Sequence, residues 1–264
     1  MTYEGYEAIL LERHERVLRL TMNRPEALNS FDAQLHEEMS RVFYEIGADD
    51  EIDVVVLTGA GRAFSAGGDM TWLQKMIDEP ATWERTTVEG KRIIISILET
   101  RQPVVARING PAIGLGATVA LACDVTFAAE NAVIGDPHVS VGLVAGDGGS
   151  ALWPSLVGYA RAREFLYTGE LLEASRAAEI GLINHAVPAD ELDEAVDAFV
   201  AKLANGATGA IQGTKAAINQ PLRAMASGNL DLSLALEGVT NVSADHQEGV
   251  AAFRERREPK FKGR

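Results

Sequence analysis

The residues of this chain that could carry chemistry fall in two glycine-containing segments and one histidine–aspartate spacing. The first segment is Ala63-Phe64-Ser65-Ala66-Gly67-Gly68-Asp69-Met70. The second is Asn109-Gly110-Pro111-Ala112-Ile113-Gly114-Leu115-Gly116-Ala117-Thr118. Glycine has no Cβ, so its backbone amide can approach a ligand closely. The second segment follows a strand-like run and opens a helical one, and a helix N-terminus presents unpaired N–H groups and a positive dipole end. One amide from each segment, aimed at one point, would make an oxyanion hole. Either segment by itself also fits a tight turn with close helix–strand packing. The third feature is His138, followed by Asp147 in Val144-Ala145-Gly146-Asp147-Gly148-Gly149. Histidine titrates near neutral pH and serves as base or acid. A carboxylate on its other ring nitrogen would fix the tautomer and stabilise the imidazolium. Asp147 has a second reading, as N-cap of a helix starting near Gly149.

These residues need a frame, and the hydrophobic pattern supplies one. Val17-Leu18-Arg19-Leu20-Thr21-Met22 alternates as a strand does, and Asn23-Arg24-Pro25 breaks it. Asn29, Ser30 and Asp32 offer caps for a helix over about 33–47, with Leu35, Met39, Val42, Phe43 and Ile46 at helical spacing. Val54-Val55-Val56-Leu57 is a continuous apolar run, the mark of a strand buried on both faces. A helix is expected over about 83–98, a strand over 103–108, and a further strand over 123–128 with Cys123 at its start. From Ala189 the pattern is mainly helical: one helix near 192–203, another over about 208–226 kinked or split at Pro221, and a third over about 232–256. This is an α/β chain of about 200 residues with a helical tail, which divides as 1–200 and 201–264. A tail of about 60 residues has little core of its own and must pack on the body or on another subunit.

Composition narrows the class. The 264 residues are 47% hydrophobic and 23% charged, as in ordinary globular proteins. No run reaches the roughly 18 apolar residues of a membrane span, and the acidic N-terminus lacks the basic and apolar regions of a secretory signal. Net charge is −14, from 24 basic and 38 acidic residues, which argues against nucleic acid as a partner. The single cysteine cannot close an internal disulfide, which fits a cytoplasmic setting. No His/Cys/Asp group has the spacing of a metal site, so none is expected. His14, His36, His185 and His246 lie outside the motifs and read as surface or interface residues, and Glu237 reads as part of a solvated helix face.

Together the motifs resemble the crotonase, or enoyl-CoA hydratase/isomerase, superfamily. The resemblance begins at Met22-Asn23-Arg24-Pro25-Glu26-Ala27-Leu28-Asn29 and continues through both glycine segments. It ends in Asp245-His246-Gln247-Glu248-Gly249-Val250-Ala251-Ala252-Phe253 and Arg256-Arg257-Glu258-Pro259-Lys260-Phe261. It implies a spiral of ββα turns with a C-terminal helical trimerisation region, assembled as a homotrimer or as a hexamer of two trimers. It implies an acyl-CoA substrate, with coenzyme A as part of the substrate and no other cofactor. The thioester oxyanion would be held by the amides of Gly68 and Leu115. Arg24, Ala27, Ala66, Gly67, Asp69, Gly114, Thr118 and Lys260 become candidate substrate-binding residues, Asp69 chiefly by ordering its loop, and Arg24 and Lys260 by facing the CoA phosphates.

The departures from that family pattern carry as much information. Its hydratases use two glutamates, and here Thr118 and His138 stand in their places. Threonine has no pKa suited to base work near neutrality. The pair His138 and Asp147 resembles instead a crotonase subgroup of β-diketone hydrolases, similar to 6-oxocamphor hydrolase, which cleave a C–C bond by a retro-Claisen reaction. Three readings follow. The chain is an acyl-CoA enzyme of enoyl-CoA hydratase/isomerase type with His138 and Asp147 as its acid–base pair, a β-diketone C–C hydrolase, or a non-catalytic acyl-CoA-binding subunit.

Overall fold

In the computed structural model, which describes residues 3–263, a six-stranded sheet forms the spine. Its strands are β1 (Ile9–His14), β2 (Val17–Met22), β3 (Val54–Gly59), β4 (Val104–Ile108), β6 (Val125–Ala129) and β9 (His185–Val187), in that spatial order. β1 and β2 form an antiparallel hairpin, and every other neighbour is parallel. A second sheet holds β5 (Ala112–Ile113), β7 (Val133–Gly135) and β8 (Leu172–Glu173).

Side chains alternate across a strand, so a strand covered on both faces is apolar throughout. β3 shows this: Val55 and Leu57 join the main core, whereas Val54 and Val56 join a smaller one on the other face. The main core is closed by α1 (Ala33–Gly47), α3 (Pro80–Glu99) and α4 (Leu115–Ala122), and the smaller by Leu192, Val196 and Val200 of α7 (Leu192–Ala204). α1 has the expected bounds. Asp32 accepts the Leu35 amide at 2.9 Å as its N-cap, and Leu35, Met39, Val42, Phe43 and Ile46 are buried on one face.

The remaining helices are α2 (Met70–Asp78), α5 (Gly149–Thr168, bent at Gly158), α6 (Ala174–Glu179), α8 (Thr208–Asn241) and α9 (Ala244–Glu255). Three expectations are corrected. Cys123 caps the end of α4, its buried Sγ donating to the Val119 carbonyl, and the strand begins at Val125. The helix expected near 83–98 runs over Pro80–Glu99, with Pro80 at its first turn, where proline costs no hydrogen bond. The break expected between 226 and 232 is absent: α8 runs unbroken through Pro221 to Asn241, and the chain breaks instead at Val242 and Ser243, before α9. Pro221 is exposed, so the carbonyl its ring cannot pair stays open to water. Buried Ala226 and Leu230 hold the helix against the main core through the expected break, and packing of this kind overrides local propensity.

α8 turns one face to the body and leaves the other uncovered. Ala226, Leu230 and Leu234 are buried, whereas Leu232, Leu236 and Val239 are exposed, as is Phe253 on α9. Among the described residues no helix is long and apolar enough to cross a membrane.

Candidate functional site

The two glycine segments are tied to each other by backbone bonds. Ser65 and Ala112 form a parallel bridge, in which the Ser65 amide donates to the Pro111 carbonyl at 3.0 Å and the Ile113 amide donates to the Ser65 carbonyl at 2.9 Å. The Ser65 hydroxyl donates to the Asn29 carbonyl at 2.8 Å, which anchors the crossing to the loop after β2. Contact is close enough to demand glycine at Gly116, where a Cβ would lie 2.6 Å from Ser65 Cβ and 2.8 Å from Ser65 O. We expect Gly116→Ala to cost about 2 kcal/mol of stability by overpacking. Calorimetry should show a fall of several degrees in Tm, and an unchanged Tm would contradict the tight crossing.

At this crossing two amides are left over. Phe31 donates to the Gly67 carbonyl and accepts from the Asp69 amide, so its bridge steps over the Gly68 N–H. Leu115 is the first residue of α4, where an N–H has no intrahelical acceptor. Neither the Gly68 nor the Leu115 amide has a hydrogen-bond partner among the described residues. Gly114, at φ 53° and ψ −124°, turns the chain into α4 in a conformation that favours glycine. A Cβ there would lie 3.9 Å from Gly67 Cα and 3.5 Å from His138 Cε1, so both segments and the histidine meet at this point.

All of these groups line one cavity of about 430 Å³, which also takes in Ala27, Ala66, Asp69, Asp147 and Glu237. Its walls are largely apolar, with Trp72, Met76, Trp83, Leu143 and Leu234 among them. Asp69 is the N-cap of α2, accepting the Thr71 amide at 2.9 Å and the Trp72 amide at 3.2 Å. Three expected binding residues are not part of the lining. Arg24 is held by the Ser30 carbonyl and, at 3.0 Å, by Asp32. Thr118 is wholly buried in α4. Lys260 lies on a separate surface hollow beside Glu248 and Arg257.

His138 opens a short 3-10 turn, His138–Val141, after β7. It has a carboxylate on each ring nitrogen: Asp136 on Nδ1, and Asp147 on Nε2 at 3.3 Å. Asp136, two residues earlier and fully buried, is the partner that sequence spacing missed; it does not line the cavity, whereas Asp147 does. Asp147 is not a helix cap, since Gly148 holds the N-cap position of α5 and no side chain caps it. The Asp147 carboxylate instead accepts from the Thr118 hydroxyl at 3.3 Å. Burial by itself would push the His138 ring down, but Asp136 and Asp147 outweigh it and hold His138 well above its usual 6.5. Both carboxylates favour the protonated ring, in which each nitrogen donates.

Glu237 is a correction. It is buried on α8, not solvated, and its Oε2 has no partner among the described residues. Burial pushes its carboxyl well above the usual range, and the neighbouring Asp147 and Asp136 add to this against the opposing charge of His138. It lines the cavity, where burial favours its protonated form. Its position was legible: Glu237 follows Leu230 and Leu234 by seven and three residues, on their face of the helix. His36 and His246 are also buried, not at the surface, whereas His185 is exposed and stacks on Phe127. Asp136, His138 and Asp147 hold their ligating atoms within 4.8 Å of one another, a grouping that spacing did not suggest. A cation there would need a neutral ring nitrogen, which the two carboxylates oppose by retaining the imidazolium proton.

Comparison with known proteins gives one consistent answer. Residues 12–264 match the family model described as enoyl-CoA hydratase/isomerase. The chain is 31% identical over 262 residues to the crotonyl-CoA hydratase of Syntrophomonas wolfei, covering 97% of this chain and 98% of that one. It is 33% identical over 256 residues to the (E)-benzylidenesuccinyl-CoA hydratase of Thauera aromatica, covering 97% and 99%. The crystal structure of an enoyl-CoA hydratase/isomerase from Mycobacterium paratuberculosis superposes with a TM-score of 0.91 at 35% identity, covering 94% of this chain and 99% of that one.

Proposed function

We propose that this chain, which belongs to the enoyl-CoA hydratase/isomerase family, adds water to an enoyl-CoA through a thioester enolate, with His138, Asp147 and Glu237 replacing the two glutamates of its hydratase relatives. The observation that carries this reading is the pair of unpartnered amides, Gly68 and Leu115, facing the same cavity as the acid–base groups. The thioester oxygen accepts from both amides, which act on it most strongly when it carries the enolate charge. Asp147, hydrogen-bonded to the His138 imidazolium, takes a proton from water as the water oxygen bonds to C3. The electron pair of the C2–C3 double bond moves into the enolate. Glu237 then gives its proton to C2, and the proton on the Asp147–His138 pair returns to Glu237 through water in the cavity. Asp136 holds Nδ1–H and so keeps Nε2 turned toward Asp147. Thr118, in the place of the first glutamate, positions the Asp147 carboxylate. The scheme uses no cofactor beyond the coenzyme A of the substrate. Arg24, and Lys260 from a neighbouring subunit, are the cations offered to its phosphates. The single buried cysteine suits a cytoplasmic setting.

The same groups support a second reading, because the His138–Asp147 pair stands where hydratases keep a glutamate. In it, Asp147 takes a proton from water as the water oxygen bonds to one carbonyl carbon of a β-diketone, and that proton later returns to Glu237 through water in the cavity. The C–C bond to the central carbon breaks, its electrons form the enolate of the other carbonyl, and Glu237 protonates that carbon. Steady-state assays with crotonyl-CoA, a β-ketoacyl-CoA and a β-diketone separate the two. Turnover of crotonyl-CoA to the 3-hydroxy thioester is expected, and cleavage of the diketone alone would replace the first reading with the second.

We also propose a homotrimer or a hexamer. Leu232, Leu236 and Val239 of α8 and Phe253 of α9 are exposed apolar residues on the C-terminal helices, and they need a partner surface. Sedimentation at micromolar concentration should give three or six copies, and a monomer would contradict this. Leu236→Glu should shift the distribution toward smaller species.

A further inference from the structure

His36 and Glu89 form a buried pair on the cavity wall that the reaction scheme does not use. His36 lies on the apolar face of α1, seven residues before Phe43 and three before Met39. It is 2% exposed, yet it lines the cavity. Its Nδ1 is 2.8 Å from Glu89 Oε2 on α3. Its ring sits 4.9 Å from Trp72 and 6.3 Å, edge-on, from Phe31. No partner for Nε2 exists among the described residues, and the position of a Cβ on Gly90, another lining residue, is 3.9 Å from that nitrogen. Because His36 lines the cavity, Nε2 is the ring atom left for a ligand group to pair with.

Glu89 settles what the nitrogen can do. A carboxylate only accepts, so Nδ1 carries the hydrogen and donates to it. That leaves Nε2 as the ring nitrogen turned to a ligand. The wall at this point offers one polar atom within a surround of Trp72, Phe31 and Leu234. His138 stands by Gly114, whereas His36 stands by Phe31, Trp72 and Gly90. We propose that His36, oriented by Glu89, accepts a hydrogen bond from a hydroxyl on the acyl chain beyond C3, so that the substrate class is a hydroxylated acyl-CoA. This rests on the acyl-CoA reading of the site.

Equilibrium binding of saturated, unreactive acyl-CoAs tests it without depending on turnover. Three series of equal chain length carry, at C4, C5 or C6, a hydroxyl, an oxo group or no substituent. One hydroxylated member should bind at least about tenfold more tightly than its unsubstituted counterpart, because a site built to pair a hydroxyl discriminates strongly against its loss. The oxo analogue, an acceptor only, should bind no better than the unsubstituted chain. His36→Phe should bring the ratio to about one while leaving binding of the unsubstituted chain unchanged or tighter. Glu89→Gln, which keeps an acceptor for Nδ1 and guards against a misfolded His36 variant, should weaken the preference without abolishing it. No hydroxyl preference at any carbon, a preference for the oxo analogue, or a preference that survives His36→Phe would overturn the proposal. If none of the acyl-CoAs binds, the acyl-CoA reading falls and takes this substrate class with it. Binding with the hydroxyl preference but no turnover of any enoyl-CoA would overturn the hydration scheme alone.

Discussion

His138→Gln is expected to lower kcat by about a thousandfold, within the range that a positioned acid–base group contributes. Glutamine keeps much of the side chain's reach and one donor, but it cannot be an imidazolium between Asp136 and Asp147. Ligand affinity should change little, because the lost interaction belongs to the transition state. Wild-type activity should fall on an alkaline limb, since both proton-bearing groups, His138 and Glu237, titrate above their ordinary values. The same shift makes a stability forecast. A histidine whose folded pKa is raised contributes stability that is complete below its unfolded value of about 6.5 and is lost as pH rises through the folded one. Urea unfolding should therefore show wild type more stable than His138→Gln at pH 6, with the gap narrowing well above pH 7. Asp147→Asn should also slow the reaction, because Asp147 faces the cavity and caps no helix. A wild-type rate in both variants would remove the pair from the mechanism and leave the cavity as a binding site only.

Leu115→Pro carries the second large effect. Proline removes the amide and the buried leucine side chain but leaves the helix intact, because Leu115 is the first residue of α4 and proline is well tolerated there. The helix loses no hydrogen bond, so Tm should fall about as far as in Leu115→Ala, which loses the same core packing. The thioester oxygen loses one of its two donors, which costs about a hundredfold to a thousandfold in kcat. Leu115→Ala, which keeps the amide, should retain most of the activity and so separates loss of the donor from loss of the side chain. An active Leu115→Pro enzyme would mean that the charge is stabilised elsewhere in the cavity.

Local pattern was enough wherever a residue's environment follows from its own element. β3 had to be buried on both faces, because a run of four apolar residues offers no polar side to water. α1 could be bounded to the residue from its cap and its apolar stripe. The glycine segments could be matched to a family because close backbone approach permits few other residues at Gly67, Gly110 and Gly116. His138 and Asp147 stood out because their residue types differ from the pattern around them.

Tertiary structure decided which groups face one another. Asp136 sits only two residues from His138, but nothing in the order Asp-Pro-His says that its carboxylate turns back onto the ring. Asp147 was consistent with a helix cap until the backbone placed Gly148 at the cap and the carboxylate over the cavity. Glu237 and His36 looked like members of solvated or peripheral faces. They lie on α8 and α1, far apart in sequence, and only packing around a common cavity removes them from water. The course of α8 through Pro221 is of the same kind, since its burial against the main core outweighs its local breakers. Periodicity reports which side of an element is apolar, through interactions over three or four residues. Charge state and hydrogen-bond partners depend on what lies across a gap, and that is set by contacts between residues distant in the chain.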